Sequence, residues 1–138
     1  MKTFVLLAAS IVLMSILFCP MVMAAPSMPA DLQMDQPDPS LPKELSTFFG
    51  KWQSTADPEN FFVIVEKIDE EKASLYIWYY GLAGAPPSWA RREAQVIKER
   101  GKYKLWWSGR FGKSDLTLNG ENLNISGPSG SDKLRRVP

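Results

Sequence analysis

The side chains able to do chemistry fall into three groups. Carboxylates stand at Glu66, Asp69, Glu70 and Glu71, with Glu99 farther on. Two carboxyls converging across a cleft can hydrolyse a glycoside, and several oxygens around one point can hold calcium. Here Asp69-Glu70-Glu71-Lys72 are consecutive between two apolar runs, which suits a solvated hairpin tip whose charges discourage edge pairing. The second group is Arg91-Arg92-Glu93. An arginine turned into a lumen would fix an anionic ligand, and Arg92 is the candidate; one step of register would send it to solvent, where such charges ordinarily sit. The third group is aromatic: Tyr76, Trp78, Tyr79 and Tyr80, then Trp89, then Trp106 and Trp107. Flat rings with polar tips suit an apolar ligand, a sugar or a partner surface, and they equally serve as filler and as cross-strand pairs.

Absent residue types narrow the chemistry further. The chain has no histidine, which removes the commonest general base and the commonest metal ligand together. Its one cysteine, Cys19, lies in an apolar leader. Once that leader is cleaved, no disulfide, thiol nucleophile or thiolate metal site remains. We therefore expect no enzyme, no metal and no cofactor; catalysis would need an unusual carboxylate or tyrosine site. The charges nearly cancel, with 16 Lys and Arg against 15 Asp and Glu. No overall field draws the chain to nucleic acid.

The leader itself reads as a signal peptide. Lys2 precedes an apolar run from Phe4 to Phe18, and Val22 and Ala24 supply the small residues that signal peptidase needs. Cleavage is expected near Ala24, giving a secreted or periplasmic protein without a stable membrane span. Phe18 immediately before Cys19 disfavours the lipoprotein alternative, which requires a small residue there. Residues 25 to 41 follow as a Pro-rich extended tether, because Pro26, Pro29, Pro37 and Pro39 lack the amide hydrogen that helices and strands use.

From 42 the pattern changes. Leu41, Leu45 and Phe48 recur at helical spacing, Pro42 suits a first turn and Gly50 a stop, predicting one short helix over 42 to 49. Beyond it, short alternating runs are separated by turn residues. Strands are predicted at 51 to 55, 60 to 68, 73 to 80, 89 to 98, 102 to 109, 114 to 118, 121 to 126 and 132 to 137, with Gly81 to Ser88 as the longest loop. Eight short strands joined by tight turns favour an all-β, eight-stranded up-and-down antiparallel β-barrel preceded by one short helix, since closure removes both exposed edges. Val63, Val65, Ala73, Leu75, Ile77, Tyr79, Ala94 and Val96 form the first half of the inward set. Tyr103, Leu105, Trp107, Leu116, Leu118, Leu123, Ile125 and Leu134 complete it. Tyr76, Trp78, Tyr80 and Trp106 have the opposite parity, which means either a bulge that reverses the alternation or an aromatic patch outside the barrel.

Gly50-Lys51-Trp52 opening the first strand after a short helix, eight sequential strands, and Arg135-Arg136 on the last strand together resemble the lipocalin and calycin group of β-barrels. The chain is also similar in pattern to small lipocalin-like modules of bacterial secreted proteins. The resemblance spans about 42 to 138. It implies that Gly50, Trp52 and Arg136 form a structural signature, with the arginine laid on the indole at the closed end. Arg136 is preferred to Arg135 because it shares parity with Leu134. Short strands, with no long lid and no C-terminal helix, imply a lumen that is small or filled by its own side chains.

Two functional expectations follow. One is a non-enzymatic barrel binding a small apolar or amphipathic ligand, with Tyr79, Trp89, Tyr103, Trp107 and Arg92 as candidate contacts and Trp89 favoured by its place beside the long loop. The other is a protein-binding module, for example an inhibitor of a secreted hydrolase that uses residues 25 to 41 as an arm. Asn124-Ile125-Ser126 fits a glycosylation triplet, to which no role is given.

Overall fold

A computed structural model describes residues 26–79 and 85–138. The expected signal peptide with Cys19 and its expected cleavage near Ala24, and Tyr80 with most of the following loop, lie outside the described residues. Among the described residues no helix is long and apolar enough to cross a membrane.

The strands β1 (Gly50–Ser54), β2 (Phe62–Ile68), β3 (Lys72–Tyr79), β4 (Ser88–Glu99), β5 (Lys102–Gly109), β6 (Gly112–Asn119), β7 (Asn122–Gly127) and β8 (Gly130–Val137) close into a barrel in sequence order. Every neighbouring pair is antiparallel, and closure comes from β1 against β8, where Trp52 faces Arg136 and Ser54 faces Leu134. Two-fold alternation delivers the core. Trp52, Val63, Leu75, Ile77, Leu105, Leu116, Leu123 and Leu134 are all at 0% exposure, one side chain after another around the ring.

A bulge in β2 shifts the register between Val65 and Lys67, so that Glu66 is the extra residue. Inward positions are Val63 and Val65 before it and Ile68 after it, and no apolar residue is wasted on solvent. Alternation in β3 is regular, pairing Tyr76 with Ile64 and Trp78 with Phe62. Tyr76 and Trp78 are therefore on the outside, and the second of the two sequence explanations is the correct one.

The helix is shorter than predicted: α1 is the single turn Lys43–Ser46. Thr47 still accepts helical angles, and a tighter turn in which Phe48 and Phe49 donate to the Leu45 and Ser46 carbonyls ends the helix, as both rings turn toward the barrel base and Gly50 begins the sheet. Leu41, Leu45 and Phe48 enter the core cluster beside Trp52. α1 thus caps the end of the barrel where β1 starts, called here the closed end. The other end, with the β1–β2, β3–β4, β5–β6 and β7–β8 connections, is the open rim.

Residues 26 to 40 contain neither helix nor strand and run as a strap down the outer wall of β2, β3 and β4. Near the rim the Trp89 indole N–H donates to the Ser27 carbonyl at 2.8 Å. Toward the closed end the Asp35 amide donates to the Glu66 carbonyl at 2.9 Å, and the Gln33 amide to the Glu66 carboxylate at 3.3 Å. The prolines keep the strap extended, and the bulge supplies backbone and side-chain acceptors that regular pairing would have used within the sheet.

Candidate functional site

At the closed end the three signature residues meet. Arg136 lies over the Trp52 indole with its guanidinium carbon 4.2 Å from the ring centroid. The same guanidinium donates to the Phe49 carbonyl at 2.7 Å and the Thr47 carbonyl at 2.5 Å, taking carbonyls that the end of α1 leaves free. Burial against the indole pushes the Arg136 pKa below its ordinary value. The Trp52 indole N–H donates to the Phe48 carbonyl at 2.9 Å, so ring and helix are locked together. Gly50 is required twice over. Its φ is +125°, and a Cβ there would stand 2.5 Å from Arg136 Nη1. This arrangement ties β1, β8 and α1 together: two of the guanidinium's donors go to protein carbonyls, and its outer side faces solvent.

The five candidate ligand contacts do not converge. Trp107 is 3% exposed in the filled core. Tyr79 is at the open rim, edge-on to Phe61 with centroids 6.5 Å apart, and burial raises its pKa while Arg92 opposes the rise. Arg92 stands opposite Leu75 on the inward register, half-buried, contrary to the preference for solvent, and donates to the Arg91 carbonyl at 2.8 Å. Trp89 is not at the barrel mouth: it packs on the outer wall against Trp78 and Tyr76, at centroid distances of 5.3 and 6.5 Å. Tyr103 is at the closed end, far along β5 from Trp107's neighbours at the rim. Tyr79 and Arg92 are near enough for the arginine's charge to act on the phenol.

Sequence reasoning missed the polar anchor outside the barrel. Glu66 is 2% exposed, and its carboxylate accepts from Arg91 at 2.6 Å as well as from Gln33. That bond is the first cause of a raised Arg91 pKa. Arg91 also lies 5.6 Å from the Tyr76 ring centroid. The Tyr76 hydroxyl is buried and has no partner in hydrogen-bond geometry among the described residues. Burial first, then the nearby Asp31 carboxylate, raises its pKa. A lone Glu followed by a parity change in the apolar pattern of β2 is the signal that could have found the bulge.

Two concavities flank α1. One of about 320 Å³ lies between the strap and Phe49, beside Arg136. The other, about 690 Å³, opens between Glu44 on α1, the Arg100-Gly101 turn, Tyr103 and Leu118. No group of three or more His, Cys, Asp or Glu side chains that could hold a metal occurs among the described residues. The exposed large apolar side chains include Tyr79 at 39% and Phe111 at 69%, both at the open rim. Comparisons with family models, with curated proteins and with solved structures return no match.

Proposed function

We propose that this chain is a secreted, non-enzymatic recognition module of lipocalin and calycin type, which binds a protein partner at its open rim instead of carrying a ligand in its lumen. The observation that carries this reading is the filled interior. Leu75, Ile77, Leu105, Leu116, Leu123 and Leu134 leave 0% of their surface exposed, so a lumen ligand would have to displace packed side chains at the cost of core contacts. The rim offers what a partner uses: Phe111 on the β5–β6 tip with Arg110 over its ring at 5.7 Å, and Tyr79 with Phe61. Aromatic and arginine anchors of this kind dominate protein interfaces.

A second reading, a hydrolase inhibitor that uses residues 25 to 41 as an arm, is favoured by the strap's extended backbone. The hydrogen bonds that Trp89 donates to Ser27 and Gln33 donates to Glu66 weigh against it, because the arm must leave the wall before it can enter a cleft.

The test is an inhibition and binding panel of secreted proteases and glycosidases. The panel is run with the intact protein, with Tyr79→Ala/Phe111→Ala, and with residues 25 to 41 deleted. Rim recognition predicts that the double variant loses a captured partner roughly 100-fold while its thermal midpoint holds, and that the deletion retains it. Capture lost only on deletion supports the arm. Saturable binding of apolar probes that quenches buried Trp107 would overturn the filled-lumen argument.

A further inference from the structure

We propose that the concavity at the closed end is a binding site for an organic anion with a compact apolar body. It owes its existence to the shortness of α1. One helical turn covers the quadrant of the base occupied by Leu45, Phe48 and Trp52, and leaves the β5–β6 quadrant open. The consequence is visible along single strands. Leu105 and Leu116 are at 0% exposure, while the next inward residues toward this end, Tyr103 and Leu118, are only half-buried. They form an apolar floor beneath about 690 Å³ of space, a volume within the range of small-molecule sites.

The charge around this floor selects the ligand. Lys104 and Glu99 pair at 2.8 Å, which raises the lysine pKa and lowers the glutamate pKa, so these two lining charges neutralise each other. Glu44 on α1 is the other acid of the lining. Arg100 and Lys102 remain, and among the described residues neither has an ion-pair partner. Lys98 adds a third cation, 4.9 Å from the Tyr103 ring centroid. The balance is positive on the β4–β5 side, where an anionic group would sit with its apolar body on Tyr103 and Leu118.

Arg100 carries independent weight. It has φ +52° and is the one non-glycine residue with positive φ among the described residues. Asn, Asp or Gly would hold that turn position more comfortably. An arginine there sacrifices turn stability, and its side chain projects beside the concavity. This makes Arg100→Asn a diagnostic substitution, since a purely structural role predicts a fold at least as stable and nothing else changed.

The experiment uses the intact protein and two fluorescent probes, 8-anilinonaphthalene-1-sulfonate and its uncharged counterpart N-phenyl-1-naphthylamine. Titration at low and at 0.5 M salt should give saturable one-to-one binding of the sulfonate that weakens with salt, and little binding of the neutral probe. Arg100→Asn/Lys102→Gln should weaken sulfonate binding roughly three- to tenfold at low salt with an unchanged or higher thermal midpoint. Leu118→Asn should weaken it as well. Equal affinity of the double variant, equal binding of the neutral probe, or no binding to the intact protein would each overturn the site. Tyr79→Ala/Phe111→Ala should leave this titration unchanged, so failure here and failure of rim recognition are told apart.

Discussion

Substituting Gly50 by alanine exposes the logic of the closed end. The added methyl meets two penalties. At φ +125° an L-residue pays about 1–3 kcal/mol of backbone strain. Its Cβ would also stand 2.5 Å from Arg136 Nη1, so the guanidinium must move off the Trp52 ring and away from the Phe49 and Thr47 carbonyls. The cation–π contact contributes about 0.5–2 kcal/mol, and two charge-assisted hydrogen bonds add to it. One side of the guanidinium stays open to solvent, so a combined contribution of about 2–4 kcal/mol is appropriate. Gly50→Ala should then cost about 3–7 kcal/mol and Arg136→Ala about 2–4 kcal/mol. In the double variant the collision is gone and only the strain adds, so its loss should fall short of the sum of the singles by the arginine's contribution, about 2–4 kcal/mol. Urea unfolding followed by tryptophan emission measures all three, because Trp52 is buried in the native barrel. Losses that add to within about 0.5 kcal/mol would refute the argument, since they would mean that the methyl never disturbs the arginine.

Three further outcomes are expected. Glu66→Ala removes the acceptor shared by Gln33 and Arg91; limited proteolysis between 27 and 35 should accelerate and Trp89 emission shift to the red, with the far-ultraviolet dichroism of the barrel retained. Unchanged cleavage would show that the bulge does not hold the strap. Tyr76→Phe deletes a buried hydroxyl without a partner, so thermal unfolding should register a neutral or slightly stabilising change, within about 1 kcal/mol; a larger loss would mean that the hydroxyl bonds the Asp31 carboxylate. Asp69 accepts from the Glu71 and Lys72 amides, which lower its pKa. Its contribution is therefore present above the ordinary aspartate range and lost as the pH falls below about 4 through the lowered value. Asp69→Asn should flatten that part of the pH–stability profile, as followed by thermal midpoints.

Strand number, order and turn positions were legible because alternation and turn chemistry are local. Leu75 and Ile77, or Leu123 and Ile125, declare a buried face two residues at a time whatever lies opposite. The meeting of Trp52 and Arg136 was legible too, since parity with Leu134 and closure of eight strands leave the arginine little else to face. Other features depend on groups distant in sequence. Whether a lumen is vacant is set by the summed volumes of side chains from all eight strands, a quantity no single run contains. Whether Tyr76 and Trp78 face water is decided by a strap held through Gln33 and Glu66, 33 residues apart, and by a bulge that regular pairing would not have required. The length of α1 follows from Phe48 finding the barrel base, a tertiary contact that outweighs helical spacing. The sequence alone therefore determined the ring of strands and its seal. Only packing in three dimensions decided that the ring is solid, that Tyr76 on its outer wall is covered, and that one quadrant of its base stays open.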